Sequence, residues 1–230
     1  MKERINELGR LPDECWYRRI LAHDNLNCRL TDQTRSKLIS SSVKCGRDYA
    51  QEIKAASQGR SAEDILLAKG VRVVETRQQS DGYLIFAQYI EPDVVELFTH
   101  TIAGAASRVE GTIIEDTLCS RGLRIRDIIT AHELFHVCEA SAPDICTRQK
   151  ATPSIGLLGR TRLVNVAAAS EIAAFAFAKE FLGLPFSPCI VNALALCAFR
   201  GAASVDDMFE ELTRPLGGSA ESDDADDARL

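Results

Sequence analysis

The stretch AHELFHVCEA, residues 131–140, carries two of the chain's four histidines, four positions apart, with a glutamate beside the first. His132-Glu133-Leu134-Phe135-His136 matches the H-E-x-x-H pattern, whose spacing has a physical reason. Residues four apart on a helix project from one face, so two imidazoles can grip one Zn²⁺ at roughly 2.0–2.1 Å. Glu133 is turned about 100° from His132. It can therefore reach a water activated by the ion without being a ligand, and take that water's proton during attack on a carbonyl. The competing reading is two core-facing histidines with a salt-bridged glutamate. Ile128, Ile129 and Phe135 weaken it, because imidazoles and a carboxylate on an apolar face need a partner to offset desolvation.

A zinc hydrolase needs a third protein ligand and an open position. Cys138 falls on the wrong side of the helix. Glu139 is on the right side but about two turns from His132, roughly 10 Å along the axis, which suits orienting a ligand histidine rather than ligating. Asp144, past the expected helix end, is a weaker candidate. Glu171 is the stronger one. Its helical neighbours are Val164, Ala167, Ala168, Ala174, Phe175 and Ala178, all apolar. A carboxylate there is costly unless neutral, paired or on a metal, and the alanines allow close approach to the histidine helix. The alternative is that this stripe faces solvent or an oligomer partner. Glu180, beside Lys179, reads as a solvated charge.

The elements that must position these residues follow from periodicity. Residues 1–60 read as an N-terminal helical segment packed on the catalytic domain, and 61–214 as that domain. SAEDILLAKG is a helix with Ser61 as cap, Asp64 completing a capping box and Gly70 at its end. VRVVET (71–76), GYLIFAQYI, DVVELFTHTI and GTIIED (111–116) read as strands of a small, mostly antiparallel sheet; DVVELFTHTI could instead begin as a short helix. A helix runs from Ile125 to about Ala142–Pro143. Further helices cover about Leu163–Leu182, Pro188–Arg200 and Ser204–Thr213. Residues 215–230 read as a disordered acidic tail.

The charge of −6 argues against a nucleic-acid-binding surface. No apolar run approaches the ~18–20 residues of a membrane span. The N-terminus lacks a signal core, so a cytoplasmic location is expected. With no Cys-x-x-Cys pair, the eight cysteines read as free thiols rather than a disulfide framework.

In order along the chain, AEDILLAKG, VRVVET, RDIITAHELFHV and SEIAAFAFAKEFLGLP resemble the ImmA/IrrE family of gluzincin-type metallopeptidases, over roughly residues 61–186. Phe135 stands where that family commonly has glycine, and Ile-Ala-Ala follows Glu171 where it usually has Ala-Asn. The resemblance implies an α+β, zincin-like fold: a small sheet packed on an active-site helix, with additional N- and C-terminal helices. It implies His132, His136 and Glu171 as ligands of one Zn²⁺ per chain and Glu133 as general base. It also implies narrow-specificity cleavage of an intracellular protein, often a transcriptional repressor.

The leading expectation is thus a cytoplasmic zinc endopeptidase acting on a protein or peptide, with an extended substrate pairing to an edge strand. Tyr83, Tyr89, His100 and Arg162 are its candidate oxyanion donors. The alternatives are a non-proteolytic zinc-containing regulatory or scaffold protein, whose metal would be closed by a fourth ligand, and a hydrolase of small amides, whose pocket would be enclosed.

Overall fold

Thr31 starts the longest helix by accepting the Thr34 amide on its side chain; that helix, α3 (Asp32–Ser57), follows α1 (Lys2–Arg10) and α2 (Asp13–Ala22). The computed structural model describes residues 1–77, 84–148, 152–155 and 161–214, with the side chains of 152–155 and 161–164 outside that description. The acidic tail and Tyr83 also lie outside it. The described architecture is mixed α+β and mostly helical, with a small three-stranded sheet and a separate two-stranded ribbon. No described helix is long and apolar enough to cross a membrane.

Ser61 and Asp64 form the anticipated capping box of α4 (Ala62–Ala68). The three strands are β1 (Arg72–Thr76), β2 (Ala87–Ile90) and β3 (Val94–Phe98). Their order is β1-β3-β2, with β1 parallel to β3 and β2 antiparallel to it. The sheet is therefore mixed, not mostly antiparallel: β2 and β3 form a hairpin, and β1 joins the far side of β3 in the same direction. Side chains alternate between faces along a strand. Val95 and Leu97 of the central strand are fully buried on one face, and the sheet meets α4 through β1 and the next long helix through β2.

One expected strand segment turns helical in its second half and another is helical instead. DVVELFTHTI begins as β3 and continues as α5 (Thr99–Ala106). GTIIED opens α6 (Ile113–Arg121). Thr112 accepts the Glu115 amide, the Glu115 carboxylate accepts the Gly111 amide at 2.7 Å, and Gly122 closes the helix in the left-handed region at φ 64°. Caps at both ends outweigh the strand preference of two isoleucines.

The histidine helix, α7 (Ile125–Ser141), has the expected bounds. A single 3₁₀ turn follows at Cys146–Arg148, then the antiparallel ribbon of β4 (Thr152–Ile155) and β5 (Thr161–Val164). Leu163 and Val164 thus belong to a strand. The Ala-rich helix, α8 (Ala167–Leu182), starts later than expected, where Asp24 from a distant loop accepts the Ala168 amide at 2.9 Å. α9 (Ile190–Arg200) and α10 (Ala202–Thr213) are the last elements among the described residues. α8 packs on α3 along one side and α7 along another; Ala168, Ala174, Phe175 and Ala178 of its stripe are buried in the core, while Ala167 and Glu171 are exposed. One buried apolar cluster runs from Ile5 to Leu212.

Candidate metal centre

α7 buries most of its length: Ile128, Leu134 and Phe135 are completely inaccessible, and Glu133 is buried with them. His132 and His136, one turn apart, leave the same face of the helix, and α8 brings Glu171 opposite them. His132 Nε2 lies 3.1 Å from His136 Nε2 and 3.4 Å from Glu171 Oε2; His136 Nε2 lies 3.6 Å from Glu171 Oε1. Donors at zinc's usual bond lengths around a tetrahedron stand about 3.3–3.4 Å apart by simple geometry. The three distances bracket that edge. These residues form a group able to hold a metal ion, and it is the only such His/Cys/Asp/Glu group among the described residues.

The electrostatics fit a cation. Burial pushes the Glu171 carboxyl up, but its hydrogen bond to His132 and the charges of both imidazoles outweigh this and hold it at about 2. It is therefore a carboxylate at neutral pH, with 49% of its side chain open to the cavity. Burial lowers the His136 value, yet its hydrogen bond to Glu139 and the nearby Glu171 and Glu133 charges raise it overall. For Glu133, burial dominates and raises the carboxyl above its ordinary value.

Behind His136 stands a second layer. Glu139 Oε2 is 3.4 Å from His136 Nδ1 and accepts the Ser170 hydroxyl at 2.6 Å, while Glu139 Oε1 accepts the Thr147 hydroxyl. Burial raises the Glu139 carboxyl, and the bonds from His136, Ser170 and Thr147 bring it below its ordinary value. Glu139 thus takes the orienting place read from its helical phase. His132 is held differently: its ring packs against Phe175 in a tilted arrangement, with centroids 4.4 Å apart and 57° between the planes.

Compared with protein-family models, curated proteins and solved structures, the chain matches none. The site therefore rests on its own geometry.

The three donors open into a cavity of about 410 Å³, walled by Ala87, Gln88 and Tyr89 of β2 on one side and Glu139, Ala140 and Arg148 on the other. Of the candidate oxyanion donors, Tyr89 lines this cavity, but its hydroxyl donates to the Pro92 carbonyl at 2.7 Å. His100 is away from it, packed on Phe199. The Tyr83 residue and the Arg162 side chain lie outside the described part. Asp144 and Cys138 are not in the metal-binding group; Cys138 is buried in the core and Asp144 is exposed beyond the helix end. Glu180 accepts from Gln51 at 3.2 Å, at a distance from the centre.

Sequence reasoning missed Ser170, Thr147 and Arg148. Ser170 left a signal, as the one hydroxyl in the run AAASEIAA. Thr147 and Arg148 left none, because only the fold returns the 3₁₀ turn to α7. The cysteine reading also needs correction: Cys45 and Cys146 form a disulfide, with Cα atoms 6.5 Å apart, while the other six cysteines are free. Nothing in their sequence separation announces the pairing, which exists because α3 passes beside the turn.

Proposed function

We propose that this chain is a zinc-dependent metallopeptidase, a distant relative of the ImmA/IrrE type, acting in the cytoplasm on peptide bonds of a protein. One observation carries the reading. Three donors at tetrahedral spacing open into a cavity that also contains the buried carboxylate of Glu133 and borders the edge strand β2.

A zinc ion held by His132, His136 and Glu171 would supply the Lewis acidity that activates water and polarises a carbonyl near neutral pH. Two imidazoles and one carboxylate suit zinc better than an all-oxygen set would. Glu133 serves as the general base: its carboxylate takes a proton from the attacking water and returns it to the departing amide nitrogen. Burial raises its carboxyl toward the range where both transfers are efficient. β2 pairs with β3 on one side, and an extended peptide laid along its other edge would gain backbone hydrogen bonds while crossing the cavity. The half-open Glu171 side chain and the cleft-like cavity support this over a closed structural site or an enclosed small-amide pocket.

The test is cleavage of a defined peptide mixture by the zinc-loaded protein and by Glu133→Gln, read by mass spectrometry. The variant should keep zinc and lose cleavage by about 10²-fold or more. Equal cleavage by both proteins contradicts the assignment. Zinc binding without any cleavage by the wild type favours the scaffold alternative.

A further inference from the structure

The Cys45–Cys146 disulfide joins residues 101 apart in sequence and ends one position short of the layer that holds His136. Cys45 is buried in the middle of α3, whereas Cys146 is exposed and opens the 3₁₀ turn. The next residue, Thr147, is buried and donates to Glu139, whose other oxygen faces His136 Nδ1 at 3.4 Å. The residue after that, Arg148, lines the cavity. The cross-link thus ties a turn that touches the candidate metal centre twice to a helix that does not reach it.

The geometry points to a thiol-sensitive positioning device: the disulfide holds Thr147 on Glu139, so that its reduction loosens His136 and weakens the metal centre. This rests on the proposed metal-site reading. Reduction is thiol–disulfide exchange with a dithiol. The dithiol's thiolate attacks the exposed Cys146 sulfur, and the Cys45 thiolate leaves. The dithiol's second thiol then displaces Cys146. The protein's S–S bond is broken and the dithiol's is formed, so two electrons and two protons pass to the cysteines. The turn then keeps Ile145 in the core but loses its covalent tie to α3. Residues that orient a ligand histidine typically change metal affinity by about 10–100-fold when removed.

The experiment has two parts on the full chain. Peptide mapping without reductant should recover a Cys45–Cys146 cross-linked peptide. Zinc affinity is then measured by competition with a chromophoric chelator. The samples are the oxidised protein, the protein reduced with dithiothreitol and desalted anaerobically, the Cys45→Ser/Cys146→Ser double variant, Thr147→Val and Thr147→Ser. Far-UV circular dichroism checks that each is folded. Affinity should fall about 10-fold or more on reduction, in the double variant and in Thr147→Val, and stay near the oxidised value in Thr147→Ser. Absence of the cross-linked peptide, or equal affinity of the oxidised and reduced proteins, overturns the inference. A cross-linked protein that binds no zinc in any form overturns the metal reading and this inference with it. Equal zinc binding in every form overturns this inference alone.

Discussion

Gly46 on α3 crosses Ala173 on α8 so closely that a Cβ at position 46 would overlap the Ala173 carbonyl oxygen and stand 2.9 Å from the Phe177 amide nitrogen. Both obstacles are backbone, so neither can rotate away. The contact fixes the depth of α8 two residues from Glu171. Gly46→Ala must push the helices apart. Its better helix propensity, worth about 1 kcal/mol, is outweighed by overpacking, and a net destabilisation of about 1–3 kcal/mol is expected. Denaturant unfolding measures it; an unchanged or higher midpoint would show that the crossing is looser than described.

Glu139 and Ser170 hold His136 without taking a place among the three donors. Glu139→Gln removes the charge facing Nδ1, and Ser170→Ala removes the 2.6 Å hydrogen bond that steadies it. Both variants should keep the fold, with zinc affinity lower by about 10–100-fold for Glu139→Gln and by less for Ser170→Ala. Chelator competition reads the difference. Unchanged affinity in Glu139→Gln would make the hydrogen bond incidental.

Arg126 anchors the start of α7 between Glu63 of α4, at 2.9 Å, and Glu75 of β1, at 3.2 Å. The hydrogen bond and charge of Arg126 hold the Glu63 carboxyl below its ordinary value of 4.5 despite some desolvation. A depressed carboxyl stabilises the fold fully above its unfolded value and loses that contribution as pH falls through the folded value. Stability should therefore drop below pH 4.5, and Glu63→Gln should make that acid limb shallower. Glu75 is exposed and Glu63 is partly so, and solvent screens both pairs, so Arg126→Met should cost only about 1 kcal/mol near neutral pH. Unfolding midpoints across pH test both. An acid limb of the same slope in Glu63→Gln would assign it to other groups.

What was legible in the sequence is what local geometry controls. The four-residue spacing of His132 and His136 fixes a shared face wherever the chain is helical, and the apolar run around Glu171 marked a carboxylate out of place. The α4 cap was legible for the same reason. The isoleucines at 113 and 114 misled because β-branched residues favour strands, whereas Thr112, Glu115 and Gly122 supply both ends of a helix. The late start of α8 depends on Asp24, and the support of His136 depends on Thr147, each brought in by tertiary packing. The parallel pairing of β1 with β3 likewise belongs to the fold, since alternation gives a strand's faces but not its neighbour.

The most direct test of the central claim is zinc content per chain by elemental mass spectrometry, on wild type, Glu171→Ala and Asp144→Ala together. About one zinc in wild type and in Asp144→Ala, with most of it lost from Glu171→Ala, is the predicted result for a three-ligand site. No zinc in the reconstituted wild type, or full retention in Glu171→Ala, would contradict it.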